Sequence, residues 1–169
     1  MTTLNHSTRT VIALVQNRAG VLSRICGLFR RQGFNIASLT VGKSELDGLS
    51  RMTFVVEGQE EVVRLVAAKL DRLIEVVEVQ DVTDQDHVYR EMVLVKIGAS
   101  KDKRGEVLQL TNLFSVKTVD VGSNQITIET TGDTKEIDSL LEILKPYGIL
   151  EVIRTGRVAI LKSENQKEK

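Results

Sequence analysis

The chain has 169 residues, of which 41% are hydrophobic and 27% charged, a balance typical of a globular protein rather than a disordered one. Its 23 basic and 23 acidic residues cancel to a formal net charge of +0, and aromatic residues make up only 4%. These values argue against a nucleic-acid partner, which needs clustered cations or stacking aromatics. No apolar run approaches the roughly 20 residues of a membrane span, and the first residues lack the pattern of a signal peptide.

The first part of the chain is predicted to form one unit, at residues 8–83, with the order β-α-β-β-α-β. An apolar strand leads through a tight turn into an amphipathic helix, and the pair Asp47-Gly48 marks a hairpin between the next two strands. A second helix and a closing strand complete the unit. The six elements are predicted at residues 9–15, 20–32, 36–41, 52–57, 60–72 and 76–82.

The same order recurs in the second half, after a polar linker predicted at residues 84–91. Its elements are predicted at residues 92–97, 104–114, 117–121, 125–130, 133–144 and 149–153. This internal repeat predicts an α+β fold of two tandem ferredoxin-like βαββαβ sandwiches. The second unit is predicted at residues 92–162, and the polar residues 163–169 are expected to form a frayed tail.

Local signals at the helix ends support these boundaries. Gly33 follows the last apolar turn of the first helix, where a glycine readily ends a helix. Asp133 and Glu136 have the spacing of a capping box at the start of the last helix. Pro146 and Gly148 lie just beyond its predicted end, and both residues are typical helix terminators.

The edge of the first predicted sheet suggests self-association. Each unit is small enough for its core to be marginal, and helices on one sheet face leave the other face and the edge strands needing cover. The apolar strand at residues 36–41 is expected to be an edge strand. Such strands commonly pair with a strand of a second copy, so we expect a homodimer with the N-terminal sheets side by side.

The turn between the first strand and the first helix is the strongest candidate for a binding site. The first N–H groups of a helix have no intrahelical acceptor and bind carboxylates well. Gly20 lets a ligand approach the backbone because it has no Cβ. A glycine or an asparagine here is also common for turn geometry alone, and spacing by itself favours that simpler interpretation. The candidate residues are Asn17, Arg18, Ala19, Gly20, Val21, Leu22 and Ser23.

Two residues at the start of the second strand, Asn35 and Ile36, complete this hypothesis. In the expected dimer, Asn35 and Ile36 of the paired chain face the turn of the first. The result is a pocket with N–H donors at one end and apolar walls at the other. Such a pocket fits a small aliphatic amino acid.

The remaining reactive side chains do not suggest catalysis. Cys26 cannot form an internal disulfide, which favours a cytoplasmic location, and its apolar neighbours favour a core residue over a reactive thiol. His6 and His87 lie in polar segments without partners at metal-ligand spacing and are interpreted as surface residues. We therefore expect no catalytic residue, no metal site and no cofactor in this chain.

Several longer motifs carry a family resemblance. Residues 17–22 (NRAGVL) resemble the signature of ACT domains in amino-acid sensors. The run at residues 17–42 (NRAGVLSRICGLFRRQGFNIASLTVG) and the LSRMT at residues 49–53 resemble the small regulatory subunit of acetolactate synthase. REMVLVKI at residues 90–97 and RTG at residues 154–156 match it as well. The resemblance covers residues 8–162, nearly the whole chain.

The resemblance implies a non-catalytic partner of the large subunit, with an ACT domain at residues 8–83 for effector binding and dimerisation. The large subunit of that family carries thiamine diphosphate, Mg²⁺ and FAD and makes acetolactate in branched-chain amino-acid biosynthesis. The small subunit activates it and confers feedback inhibition, typically by valine. The family's effector site corresponds to Asn17, Gly20, Val21 and Leu22, with Asn35 and Ile36 from the paired chain.

Two other functional classes are compatible with tandem ferredoxin-like units. One is a stand-alone ACT-type amino-acid sensor that controls gene expression, and the other is a small ferredoxin-like enzyme. The zero net charge and the missing aromatic motif argue against RNA contact, and the lack of a catalytic cluster argues against an enzyme. The second unit has no Asn-x-x-Gly turn, so it is not expected to duplicate the amino-acid site.

Overall fold

The structure is a computed structural model and describes residues 8–100, 103–114 and 116–163. Apart from Ser163, the predicted tail lies outside the described residues. Two units are distinguished by their internal packing. The first comprises the described residues up to Tyr89 together with those from Arg157 onward, and the second is Arg90–Gly156.

The first unit contains a four-stranded antiparallel sheet with the strand order β2-β3-β1-β4. Two helices pack on one face of this sheet, as the ferredoxin-like prediction requires. Its elements are β1 (Thr8–Gln16), α1 (Val21–Gln32), β2 (Asn35–Lys43), β3 (Leu49–Glu57), α2 (Glu60–Leu70) and β4 (Val76–Asp81). The strand order places β2 at one edge, where the sequence predicted an edge strand, and β4 at the other.

The core of the first unit lies between the sheet and its helices. Alternate residues of β1 and β3 point toward the helices, and Phe54 of β3 meets Phe29 of α1 with ring centroids 5.2 Å apart. Both phenylalanines are essentially inaccessible to solvent. Burial of such large side chains is the main contribution to the stability of a unit of this size.

The second unit repeats the arrangement, with an antiparallel sheet of strand order β6-β7-β5-β8. Its elements are β5 (His87–Gly98), α3 (Arg104–Leu113), β6 (Lys117–Val121), β7 (Gln125–Gly132), α4 (Thr134–Leu144) and β8 (Ile149–Arg154), and the last strand among the described residues is β9 (Val158–Leu161). A separate apolar core packs α3 and α4 against its sheet. The predicted α+β class, with two tandem ferredoxin-like sandwiches, is confirmed.

The helix ends also form as the sequence predicts. Gly33 follows α1 with a φ of 71°, in the left-handed region, and its N–H donates to a carbonyl of the last turn. Asp133 and Glu136 make both hydrogen bonds of a capping box at the start of α4. A short 3₁₀ turn follows α4 and ends at Gly148, which has a φ of 82°.

The predicted domain boundaries need two corrections. Residues 87–91 were predicted to be part of a linker, but β5 already begins at His87. The second unit was predicted to extend to residue 162, yet β9 pairs with β5 and packs with the first unit. Both errors have one physical cause: the polar residues around His87 hide a strand that is stabilised by pairing with β9, far away in the sequence.

β9 covers part of the sheet face that the helices leave open. Ala159 and Leu161 pack with Ile12 of β1, with Val82 just after β4, and with Tyr89. Arg157 lies over the ring of Tyr89, 4.7 Å from its centroid. The second face of the first sheet is therefore covered in part by the chain itself, through a strand that the sequence did not predict.

A charged cluster fixes the segment that follows β4. The Arg9 guanidinium of β1 donates to Asp81 at 2.9 Å and to Asp84 at 2.6 Å. Thr83 donates to Asp81 through its hydroxyl at 2.6 Å and its N–H at 3.1 Å. Burial is the largest single effect and raises the pKa of Asp81, but the hydrogen bonds from Thr83 and Arg9 together outweigh it and lower that pKa below its ordinary value.

We expect Asp81→Asn to lower the free energy of unfolding at pH 7 by about 1.5–3 kcal/mol, because Arg9 loses a charged hydrogen-bond partner. The folded-state pKa of Asp81 is depressed, so its contribution is complete above the ordinary value of 3.8 and is lost as the pH falls below it. Urea unfolding at several pH values should show the wild type and the variant converging in acid.

Asp84→Asn is the matched control, since Asp84 pairs with the same arginine but its side chain is 72% exposed. Its effect should be much smaller. Equal losses for the two variants, or a difference that persists in acid, would contradict this account.

Candidate functional site

Backbone hydrogen bonds fix the conformation of the turn after β1. The N–H of Asn17 donates to the carbonyl of Gly48 at 2.8 Å, and the N–H of Arg18 donates to that of Gln16 at 3.1 Å. Gly20 then occupies the N-cap position of α1 with a φ of 87°, in the left-handed region that favours glycine. Gly20 therefore has a geometric reason to be present, and its missing side chain also leaves the N-terminus of α1 uncovered.

The first turn of α1 has free hydrogen-bond donors. Within the described part of the chain, the N–H groups of Ala19, Gly20, Leu22 and Ser23 have no acceptor, and no side chain caps the helix. The N–H of Val21 makes only a long bond of 3.4 Å to the carbonyl of Arg18. The first turn also contains no acidic residue. No acidic residue of the helix itself therefore neutralises the positive end of its dipole, which favours carboxylate binding.

The side chains of the predicted site differ in their surroundings. Val21 is buried in the core of the first unit, so its side chain cannot face a ligand. Leu22, in contrast, is 42% exposed, and Ser23 is exposed beside it. Asn17 and Arg18 are exposed as well. Leu22 is thus the large apolar side chain that the turn presents to solvent.

One chain does not bring the two halves of the predicted site together. Asn35 begins β2 and pairs with Glu57, which in turn pairs with Thr8 at the start of β1. The turn, by contrast, follows Gln16 at the end of β1. The two halves therefore lie at opposite ends of a nine-residue strand, about 25 Å apart at 3.3 Å per residue. Ile36 packs against the core at that far end.

An ion pair that the sequence analysis missed anchors the first turn of α1. Arg24 and Glu75 approach to 2.7 Å, and the carbonyl of Glu75 accepts the N–H of Gln16 at 2.8 Å. Glu75 thus joins the end of β1, the start of α1 and the segment before β4. No local pattern links residues so far apart in sequence, and only the fold brings them together.

The equivalent turn of the second unit is built differently. Arg104 begins α3, and its guanidinium donates to the carbonyls of Gly122 at 2.7 Å and Ser123 at 2.6 Å. A cationic side chain therefore ties this helix start to the neighbouring hairpin. The N-cap residue of α3 is Lys103, whose φ of -90° differs from the left-handed φ of Gly20.

Neither a metal cluster nor a membrane helix is found in the part of the chain that the structure describes. Among residues 8–100, 103–114 and 116–163, no group of three or more His, Cys, Asp or Glu side chains could hold a metal ion. His87 contacts the carbonyl of Gln85 through Nδ1 at 2.8 Å, whereas His6 lies outside the described residues. No helix in these residues is long and apolar enough to cross a membrane.

Comparison with known proteins identifies the family. Residues 12–78 match the family described as "AHAS small subunit-like ACT domain", and residues 90–163 match "Small subunit of acetolactate synthase". A probable acetolactate synthase small subunit from Archaeoglobus fulgidus is 46% identical over 93% of this chain and 98% of its own length. The chain belongs to the acetolactate synthase small-subunit family.

Other small subunits agree with this assignment. The acetolactate synthase small subunit of Bacillus subtilis is 42% identical over 94% of this chain and 93% of its own length. The crystal structure of the small subunit from Thermotoga maritima superimposes with a TM-score of 0.85 at 35% identity, covering 93% of this chain and 98% of that one. The matched ACT-domain segment falls in the first unit, and the other matched segment includes the second unit and β9.

The uncapped end of α1 leads to a prediction about stability. Ser23→Asp adds a carboxylate to the first turn, where free N–H groups and the helix dipole favour negative charge. We expect the free energy of unfolding to rise by about 0.3–1 kcal/mol at low ionic strength and the gain to shrink in 1 M salt. Thermal or urea unfolding measures it. Ser23→Asn is the uncharged control, and an equal gain from both variants would contradict the electrostatic explanation.

Proposed function

We propose that this small subunit is a regulatory partner of the catalytic large subunit of acetolactate synthase. In this proposal it raises the activity of the large subunit and makes that activity sensitive to feedback inhibition by a branched-chain amino acid, valine. The observation that carries the proposal is the uncapped N-terminus of α1, where the N–H groups of Ala19, Gly20, Leu22 and Ser23 have no acceptor among the described residues. Membership of the small-subunit family supports the proposal that this chain acts together with a large subunit.

The chemistry of acetolactate formation is assigned to the other subunit. Thiamine diphosphate, Mg²⁺ and FAD, which the family resemblance implies, are placed in the large subunit in the cytoplasm. This chain contributes regulation to the synthesis of valine, leucine and isoleucine. It needs only a site for the end product and a surface for the large subunit.

A homodimer joined through β2 completes the effector site. Antiparallel pairing of β2 with its symmetry mate brings the Asn35 end of one strand beside the Lys43 end of the other. Lys43 pairs with Ser50, and the carbonyl of Gly48, at the same end of the sheet, accepts the N–H of Asn17. Asn35 and Ile36 of the second copy thereby reach the turn from which one chain alone separates them.

Each part of the effector has a group suited to bind it. The free N–H groups of the α1 turn bind the carboxylate, while the exposed Leu22 and Ile36 of the second copy form the apolar wall for the aliphatic side chain. Because the effector bridges two copies, it favours one arrangement of the dimer. Inhibition follows only if that arrangement supports the large subunit less well, since a ligand shifts an equilibrium through its differential affinity.

Gly20→Asp should abolish inhibition by valine. At the N-cap position, the new carboxylate accepts hydrogen bonds from the free N–H groups and repels the carboxylate of the effector. The test is a valine titration of acetolactate formation by the reconstituted two-subunit enzyme, with activation of the large subunit as the check on folding and assembly.

The φ of 87° strains any side chain at this position, so the control must carry the same strain. Gly20→Asn has the shape of the aspartate without its charge, and we expect it to weaken inhibition without abolishing it. If the Gly20→Asp enzyme remains fully inhibitable, the effector site is not at this turn.

Val41→Lys should convert the dimer to monomers. Val41 lies on the edge strand β2 and is 44% exposed, so a lysine there places two charges in a paired interface. Val77→Lys is the matched control, because Val77 lies on β4 at the opposite edge and is 55% exposed. Sedimentation velocity should show monomers for the first variant and dimers for the second. Monomers of the Val77 variant alone would move the proposed interface to β4.

A further inference from the structure

The open face of the first sheet contains a cavity of about 320 Å³ that the proposed effector site does not use. Its floor is formed by Ile12 and Leu14 of β1, both almost fully buried. β9 also lines it, through Ala159, Ile160 and Leu161. The volume lies at the lower end of the range typical of small-ligand sites, about 300–1,000 Å³.

Opposite charges flank the apolar floor in a single row across the sheet. Leu14 pairs with Arg51 of β3 on one side and with Glu78 of β4 on the other, so the three side chains share the open face. Gln80, the partner of Ile12 in the next row, donates to Oε1 of Glu78 at 2.5 Å. This row of the cavity therefore combines a cation, an anion and an apolar surface between them.

Arg51 is accessible to a ligand. Its guanidinium donates to Oε1 of Glu45 at 2.8 Å, but the Glu45 side chain is 66% exposed, and ion pairs of this kind contribute little to stability. The remaining donors of the planar guanidinium can bind a second carboxylate. Arg51 also lies in the LSRMT motif at residues 49–53, to which the proposed function assigns no role.

We propose that this cavity is a second binding site for a free α-amino acid with an aliphatic side chain. The ligand carboxylate binds Arg51, its ammonium binds Glu78, and its side chain contacts Leu14 and Ile12 beside β9. A simple anion or a nucleotide fits poorly, because two carboxylates line the cavity beside one guanidinium. The apolar floor disfavours a sugar. The inference does not depend on the effector site at Gly20.

Binding here has a consequence for β9. The ligand fills space between the sheet and Ala159, Ile160 and Leu161, so it adds contacts that hold β9 on the first unit. Local opening of a packed strand becomes rarer when a ligand binds only the closed form. Amides of β9 should therefore exchange more slowly in the presence of the ligand.

The test is equilibrium dialysis of the full chain with radiolabelled valine, leucine and isoleucine in turn. For at least one of the three, we expect two equivalents per wild-type chain and one per Gly20→Asp chain. Adding Arg51→Gln or Glu78→Gln to the Gly20→Asp background should weaken amino-acid binding at the remaining site by about tenfold or more, as loss of a charge-assisted contact predicts. When the bound amino acid is added, hydrogen exchange of the β9 amides should slow in the Gly20→Asp protein and not in the double variants.

Arg64→Gln in the same background is the matched control, because Arg64 also forms an exposed ion pair, with Glu60 of α2, far from the cavity lining. It should leave binding unchanged, and thermal melting checks that every variant is folded. Absence of binding of all three amino acids to the Gly20→Asp chain overturns the second site. If Gly20→Asp removes no binding and Arg51→Gln removes all of it, the second site stands and the effector site at the turn fails.

Discussion

β1 is buried on both of its faces, and much of the first unit follows from the need to cover them. On one side, α1 and α2 pack against its alternate residues and form the main core. On the other side, Ile12 needs apolar cover as well, which β9 supplies from the far end of the sequence. A central strand of this kind fixes the sheet order and leaves only β2 and β4 as edges.

The same constraint explains why the turn at Gly20 is well defined. β1 is held by β3 and β4, so the end of the strand has little freedom. The hydrogen bond from Asn17 to Gly48 and the ion pair of Arg24 with Glu75 then fix the start of α1 from two sides. Free N–H groups on a rigid frame lose little entropy when they bind a ligand.

Local sequence signals predicted much of the fold. Apolar periodicity located the helices and strands, and Gly33 and the Asp133–Glu136 pair marked helix ends because their effects act within a turn of helix. The turn at Gly20 was predicted for the same reason. β9 and the His87 end of β5 were missed. β9 is only four residues long and the start of β5 is polar, so each segment becomes a strand only because it pairs with the other. The Arg24–Glu75 pair was equally invisible, since nothing near either residue indicates its partner.

The pairing of β9 with β5 also bears on the order in which the chain is made. Residues 90–156, which form the second unit, are synthesised before β9, which belongs to the first unit. The first unit therefore cannot be complete until β9 has been made, because Ala159 and Leu161 of β9 pack on the apolar patch of Ile12 and Val82. A fragment that ends at the predicted boundary, residue 83, lacks β9 and therefore leaves that apolar patch without its cover. Such a fragment models a translation intermediate rather than a native domain.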